Sequence, residues 1–320
     1  MNEISVKSLS AGKEASHAKV SFFSTLVAFS RAAWPLTKPT ISVLVVFTAI
    51  PELLSKDAIA KFSHPWAGFS FLVATLLGIF LASASSAVFN HIIDADIDVT
   101  MQRTRNRPVP SGAVSQNSAI IFGITLGVLS FIILYAGGSL LAALLALAAN
   151  IFYAWFYTAV LKRRTDQNIV IGGAAGAIGP LIGCAAISNS LNLGAWLQFL
   201  VIFLWTPPHF WALALKYQND YRRANVPMLP VTRGDEVTRK HIFLYTLTLF
   251  PVIIFMWVRG DTTWLGGPVL MATTAYFSFL AYRLYRSRDN SKSMSLFIYS
   301  CFYLFIVFGS LALERVILSF

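Results

Sequence analysis

Asn90, Asp94 and Asp98 stand four residues apart at the close of a long apolar run, and Arg103, Arg105 and Arg107 follow at once. If a helix continues through this stretch, each four-residue step advances only about 40° beyond a full turn, so the three polar residues share one face. Carboxylates gathered there repel one another unless a cation intervenes. Mg2+ suits the pattern, because it typically binds through one or two carboxylates, keeps some waters and takes up substrate phosphate oxygens. Planar, permanently charged guanidinium groups then meet the remaining phosphate charge. The residue types therefore point to a metal-diphosphate site. Asp94 and Asp98 are its metal ligands, Asn90 a neutral oxygen ligand or positioning group, and Arg103 and Arg107 its diphosphate contacts. Asp96 points the other way on such a helix and reads as structural.

The elements that must hold these residues are membrane helices. Of 320 residues, 56% are apolar and only 12% charged, far below the roughly 25% charged of a soluble domain. The net charge of +11 is dealt out between apolar segments rather than gathered in a patch, which argues against nucleic acid as a partner. Cys184 and Cys301 lie in apolar runs without CxxC spacing and read as buried thiols. Windows long enough to span a hydrocarbon core fall near 36–55, 66–92, 114–136, 139–160, 168–188, 195–216, 241–258, 264–282 and 296–316.

That pattern predicts an all-α polytopic protein of nine transmembrane helices (34–320), preceded by a cytoplasmic tail (1–33) that lacks the features of a signal peptide. With the N-terminus inside, 21 of the 25 Lys and Arg residues fall on one side, as the positive-inside rule requires. Ten of the fourteen acidic residues share that side, although orientation gives them no reason to follow. A site is such a reason. The loops after the second and sixth spans also look faintly alike, each running from a carboxylate through basic residues to prolines, as duplicated halves flanking a shared site would.

Several separate motifs strengthen this reading: NxxxDxxxD with RTRNRP, then YTAVLKRRTDQNIVIGGAAGAIGP, then TPPHFWALALKYQNDYRRANVPMLPV. Between Leu36 and Val231 the chain resembles the UbiA-type intramembrane prenyltransferases, and within them the members that farnesylate heme b. The resemblance implies a nine-helix bundle whose central cavity opens to the cytosol and holds farnesyl diphosphate and heme b. It further implies Mg2+ bridging the aspartate motifs to the diphosphate, and a farnesyl cation that alkylates a heme vinyl group before water adds.

Carried onto this sequence, the resemblance makes Asp220 the carboxylate of the second motif. With Lys216 four residues before it, Asp220 is either a lone metal ligand or the partner of Lys216. Lys162, Arg163 and Arg164, after Tyr157, match the family's basic diphosphate site, a plain topology anchor being the competing reading. His209 follows Pro207 and Pro208 inside a membrane helix, where an ionisable group is costly and a functional candidate by default, and imidazole is a usual heme-iron ligand. The resemblance makes His209 a heme contact, with satisfaction by a neighbouring helix as the alternative; His91, beside the aspartate face, is a second heme candidate. Asn168 could hydrogen-bond either substrate. Phe152, Tyr153, Trp155, Phe156, Trp205 and Trp211 could line an isoprenoid channel and shield a cation, or form an interfacial belt.

The expected setting is the bacterial inner membrane, with the active site facing the cytoplasm and contacts to heme A synthase or oxidase assembly factors conceivable. Two rivals stand: a prenyltransferase of the same fold acting on an aromatic quinone precursor, and an anion transporter. A transporter would place charges at mid-membrane on broken helices, whereas these follow helix ends.

Overall fold

The computed structural model describes residues 27, 29–55 and 64–317, and within these there are helices and no strands. The tail through residue 26, with His17, and the segment holding Lys56 and Lys61 lie outside the described residues. Nine long helical elements follow in order: α1 Pro39–Leu53, α2 Pro65–Ile93, α3 Gln116–Gly137, α4 Leu140–Arg164, α5 Asn168–Ser188, α6 Leu193–Lys216, α7 Gly234–Arg259, α8 Gly266–Ser287 and α9 Ser293–Ile317. Among the described residues, seven are long and apolar enough to cross a membrane, or eight when the bent pair Phe29–Thr37 and Pro39–Leu53 counts as one span. The helix that falls short of the expected nine is α8, which carries Thr273, Thr274 and Ser278 on its buried side and Arg283 on its exposed side.

Local sequence explains where the helices start. Pro39 and Pro65 stand in the first turns of α1 and α2, where the missing N–H costs nothing. Ser115, Ser139 and Asn192 cap α3, α4 and α6 by accepting from the backbone N–H of Ser118, Ala142 and Ala195. Small residues then let the helices close up, as membrane packing requires. A Cβ on Gly183 would sit 3.0 Å from the carbonyl of Ala49, and one on Gly172 would strike the Tyr157 ring.

Each helix packs on its successor, and α9 returns against α1, so the elements form a closed ring. One buried cluster joins α6 to α9 with the segment 217–229; a second joins α1 to α5. The loops after α2, α4, α6 and α8 meet at one end of the ring. Arg163 at the end of α4 pairs with Asp96 after α2 at 2.7 Å. Arg103 lies 5.7 Å above the ring of Tyr217, after α6. Arg233, before α7, pairs with Asp166 in the α4–α5 loop at 2.5 Å, and Arg239 of α7 donates to Asn290 between α8 and α9 at 2.9 Å.

In α4 the chain leaves α geometry, and Phe152–Leu161 forms a π-helix of ten residues. Its wider turn puts residues five apart in line, so Tyr153 aligns with Thr158, and Tyr157 with Lys162. The Thr158 hydroxyl donates to the Tyr153 carbonyl at 2.8 Å, and the rings of Tyr153 and Tyr157 stack 5.2 Å apart. Because Tyr157 fills the space above Gly172, Gly172→Ala is expected to lower the melting temperature in detergent, an overpacking cost of about 1–3 kcal/mol. Gly176→Ala, with nothing within 4 Å of its added methyl, serves as the control and should melt with the wild type.

Candidate active site

The α2 helix bends but does not stop at its polar end. Asp94 is its C-cap, and a short helix Ala95–Asp98 follows. The Asp94 N–H still reaches the Asn90 carbonyl at 3.0 Å and the Asp98 N–H reaches that of Asp94 at 2.8 Å. Four-residue spacing is thereby preserved, and Asn90, Asp94 and Asp98 are all buried, the two carboxylates only 1% exposed.

Each buried carboxylate is met by a cation from elsewhere in the chain. Lys162, delivered by the π-helix, donates to Asp94 Oδ2 at 2.6 Å, and Arg107 donates to Asp98 Oδ2 at 2.7 Å. Asn90 knits the group together: its Nδ2 donates to Asp94 Oδ2 at 2.8 Å and to Thr158 Oγ1 at 3.1 Å, while its Oδ1 accepts from Lys38. Asp94 Oδ1 is buried without a partner. Asp96, by contrast, lies at the surface, where two hydrogen bonds from Arg163 hold its carboxyl below the usual carboxylate range. Arg164 is exposed.

The second motif packs against the first. Met101 shares a buried cluster with Tyr221, Val226 and Met228, and Arg103 lies beside both Tyr217 and Tyr221. Burial pushes the Tyr221 phenol up, against the pull of Arg103, so it stays a neutral hydrogen-bonding group. Asp220 is buried and its ion-pair partner is Arg223, not Lys216, the alternative partner that the sequence offered. Asn168 is buried, donating to the Thr165 carbonyl at 2.6 Å with its Oδ1 unpartnered.

The two histidines differ. His209 of α6 lies between Trp205 and Phe297 at ring distances of 4.3 and 4.6 Å, its Nδ1 2.6 Å from Ser300 Oγ of α9. His91, next to Asn90, is buried with neither ring nitrogen partnered. The aromatic residues divide as well. Trp155 and Phe156 point outward, 64% and 48% exposed, and Trp211 is wholly buried against His241 and Tyr245. Tyr153 and Tyr157 of α4 lie in electrostatic reach of Asp94.

Sequence spacing singled out neither Lys38 nor Thr158. Lys38 is a single basic residue at the start of the first apolar window, and the link from Thr158 to Asn90 depends on the π turn, which an α-helical reading of 152–161 does not contain.

Among the described residues no three of His, Cys, Asp and Glu gather closely enough to hold a metal by themselves. Mg2+ does not need such a set, since one or two carboxylates suffice when phosphate oxygens and waters complete the shell. The unpartnered Oδ1 of buried Asp94, a hard anionic oxygen beside an amide and a second carboxylate, fits that requirement.

Two buried carboxylates, each met by a cation from another element, thus lie at the polar end of the ring. The chain belongs to the UbiA prenyltransferase family, whose model matches residues 58–308. A relative from Gloeobacter violaceus, 45% identical over 89% of this chain and 92% of its own length, is a protoheme IX farnesyltransferase. Among solved structures, a digeranylgeranylglyceryl phosphate synthase superposes with a TM-score of 0.72 at 16% identity, covering 91% of this chain and 98% of its own. A UbiA homologue from Archaeoglobus fulgidus bound to DMAPP and Mg2+ gives 0.65 at 16% identity over 88% of this chain and 98% of its own. At such identities the likeness establishes the fold.

Thr158→Val removes the acceptor that orients Asn90 and leaves a buried amide N–H unpaired, at a cost of about 1–3 kcal/mol. Prenyl transfer is expected to slow roughly 5- to 100-fold, while Thr158→Ser, which keeps the hydroxyl, should transfer near the wild-type rate.

Proposed function

We infer that the chain is a multi-pass membrane enzyme that transfers the farnesyl group of farnesyl diphosphate to a vinyl group of heme b, giving heme O. The observation that carries this reading is the pair of buried carboxylates, Asp94 and Asp98, held among cations at the end of α2, on a chain whose relatives are protoheme IX farnesyltransferases. The transfer breaks the bond between farnesyl C1 and the diphosphate oxygen and forms a carbon–carbon bond to the vinyl group. Water adds to the resulting cation, losing a proton.

Negative charge grows on the departing diphosphate, so fixed cations stabilise the transition state more than the ground state. Arg107 and Lys162 supply that charge from within the buried group, and Arg103 is the contact nearest the second motif. Arg163 and Arg164 stand at the rim, where Arg163 also clamps the two loops through Asp96. When bound, Mg2+ would be held by Asp94 and Asp98, with Asn90 beside them and Asp220 from the second motif, and would neutralise the leaving group as a Lewis acid. Tyr153 and Tyr157 offer π faces near the carbon that turns cationic.

Heme b contacts are assigned to His91 and His209. The unpartnered nitrogens of His91 support its role directly; at His209 the Ser300 contact fixes one nitrogen, as an outer hydrogen bond orients a ligating imidazole. The basic loops gathered at one end support an active site facing the cytoplasm across a bacterial inner membrane. The names of the relatives favour heme over a quinone precursor, and charges at helix ends speak against a transporter.

Purified protein with heme b, farnesyl diphosphate and Mg2+ is expected to yield a farnesylated heme by mass spectrometry, and to yield none when Mg2+ is chelated. Transfer to a benzoate with none to heme would overturn the assignment. Asp94→Asn and Asp98→Asn should abolish transfer while heme b is still retained, whereas Asp96→Asn, which alters a half-exposed surface pair, should cost at most about 1 kcal/mol. His209→Ala should alter the absorption spectrum of bound heme, and an unchanged spectrum would leave His209 a packing residue.

A further inference from the structure

Lys38 joins the turn Trp34–Thr37 to α1, where the helical path bends by 52°. Its backbone is left-handed, with φ 44° and ψ 60°, a conformation that a residue with a Cβ adopts only when its surroundings impose it. As a cap it works through its main chain, since its carbonyl accepts from Ile41 and Ser42 at 2.9 and 3.0 Å. Glycine would do that without strain. The requirement for lysine comes from the side chain, which crosses to α2 and places Nζ on Asn90 Oδ1.

The ammonium there is in surplus. Lys162 satisfies Asp94 and Arg107 satisfies Asp98, so both buried carboxylates of this group have a cation of their own. Lys38 lies in the electrostatic field of all four groups, yet among the described residues no carboxylate comes within ion-pair distance of it. It meets a neutral amide oxygen instead. An ammonium carries three donors, of which the amide oxygen takes one, and desolvation beside Arg107 and Lys162 makes its charge costly, a cost that an anionic ligand would relieve.

We propose that Lys38 is a further diphosphate-binding residue, its strained cap holding the ammonium beside Asn90 until phosphate oxygens replace the amide as its acceptor. The proposal rests on the diphosphate reading of the site given above. Heme b brings carboxylates as well, so binding of the two substrates must be measured separately.

The test is titration of wild type, Lys38→Gly, Lys38→Met and Lys38→Arg, in detergent with Mg2+, using the unreactive analogue farnesyl thiolodiphosphate by calorimetry and heme b by absorbance. Loss of one charge-assisted contact should weaken analogue binding at least about tenfold in the glycine and methionine variants. Heme b affinity should be unchanged, and arginine should restore most of the analogue affinity. Lys38→Gly relaxes the left-handed backbone, so it should melt no lower than wild type, which separates lost binding from lost folding; Lys38→Met carries the test should glycine unfold. Wild-type analogue affinity in both variants, or a loss confined to heme b, overturns the role of Lys38 and leaves the site's reading intact. Failure of the wild type itself to bind the analogue overturns both.

Discussion

Two carboxylates buried where a membrane helix ends are the constraint around which this protein is arranged. An isolated ionised carboxylate in a low-dielectric interior is strongly unfavourable, and pairing with hydrogen-bonded cations is what makes it tolerable. The cations for Asp94 and Asp98 come from different parts of the chain, Lys162 from the end of α4 and Arg107 from the loop beyond α2. Keeping the acids charged therefore requires those elements to meet. The other cross-loop links, Arg163 to Asp96, Arg103 to Tyr217 and Arg233 to Asp166, surround that meeting point and hold the polar end of the ring together.

The same arrangement poises the site for chemistry. On the function proposed above, the oxygens that would hold a metal are partly covered by ammonium and guanidinium groups, so a diphosphate would take over cations already in position. Such preorganised charge costs little reorganisation when the leaving group separates. Asp94 Oδ1, which has no protein partner, is the point where that exchange need displace nothing.

Much of this was legible in the chain. Helix positions followed from the apolar windows, because membrane spans are set by length and hydropathy alone. The four-residue spacing of Asn90, Asp94 and Asp98 was readable because helical periodicity survives the bend at Asp94. Three features were not readable. α8 was counted as a span although its polar residues leave it short of the apolarity of its neighbours. The π-helical register of Phe152–Leu161 has no mark in a run of aromatic and β-branched residues, so the alignment of Thr158 and Lys162 with Asn90 and Asp94 was hidden. Lys38 could not be singled out because its place depends on a left-handed turn and a contact 52 residues away, information held by neither composition nor spacing.

The closure of the ring by α9 against α1 bears on how the protein is made. α1 and α9 are neighbours in the bundle, yet α9 leaves the ribosome long after α1. Until the C-terminal span is delivered, α1 lacks one of its flanking partners and the circle stays open. The bundle is therefore closed only once α9 has been inserted, and loss of α9 would be felt along the later part of α1, where Phe47 meets Phe305.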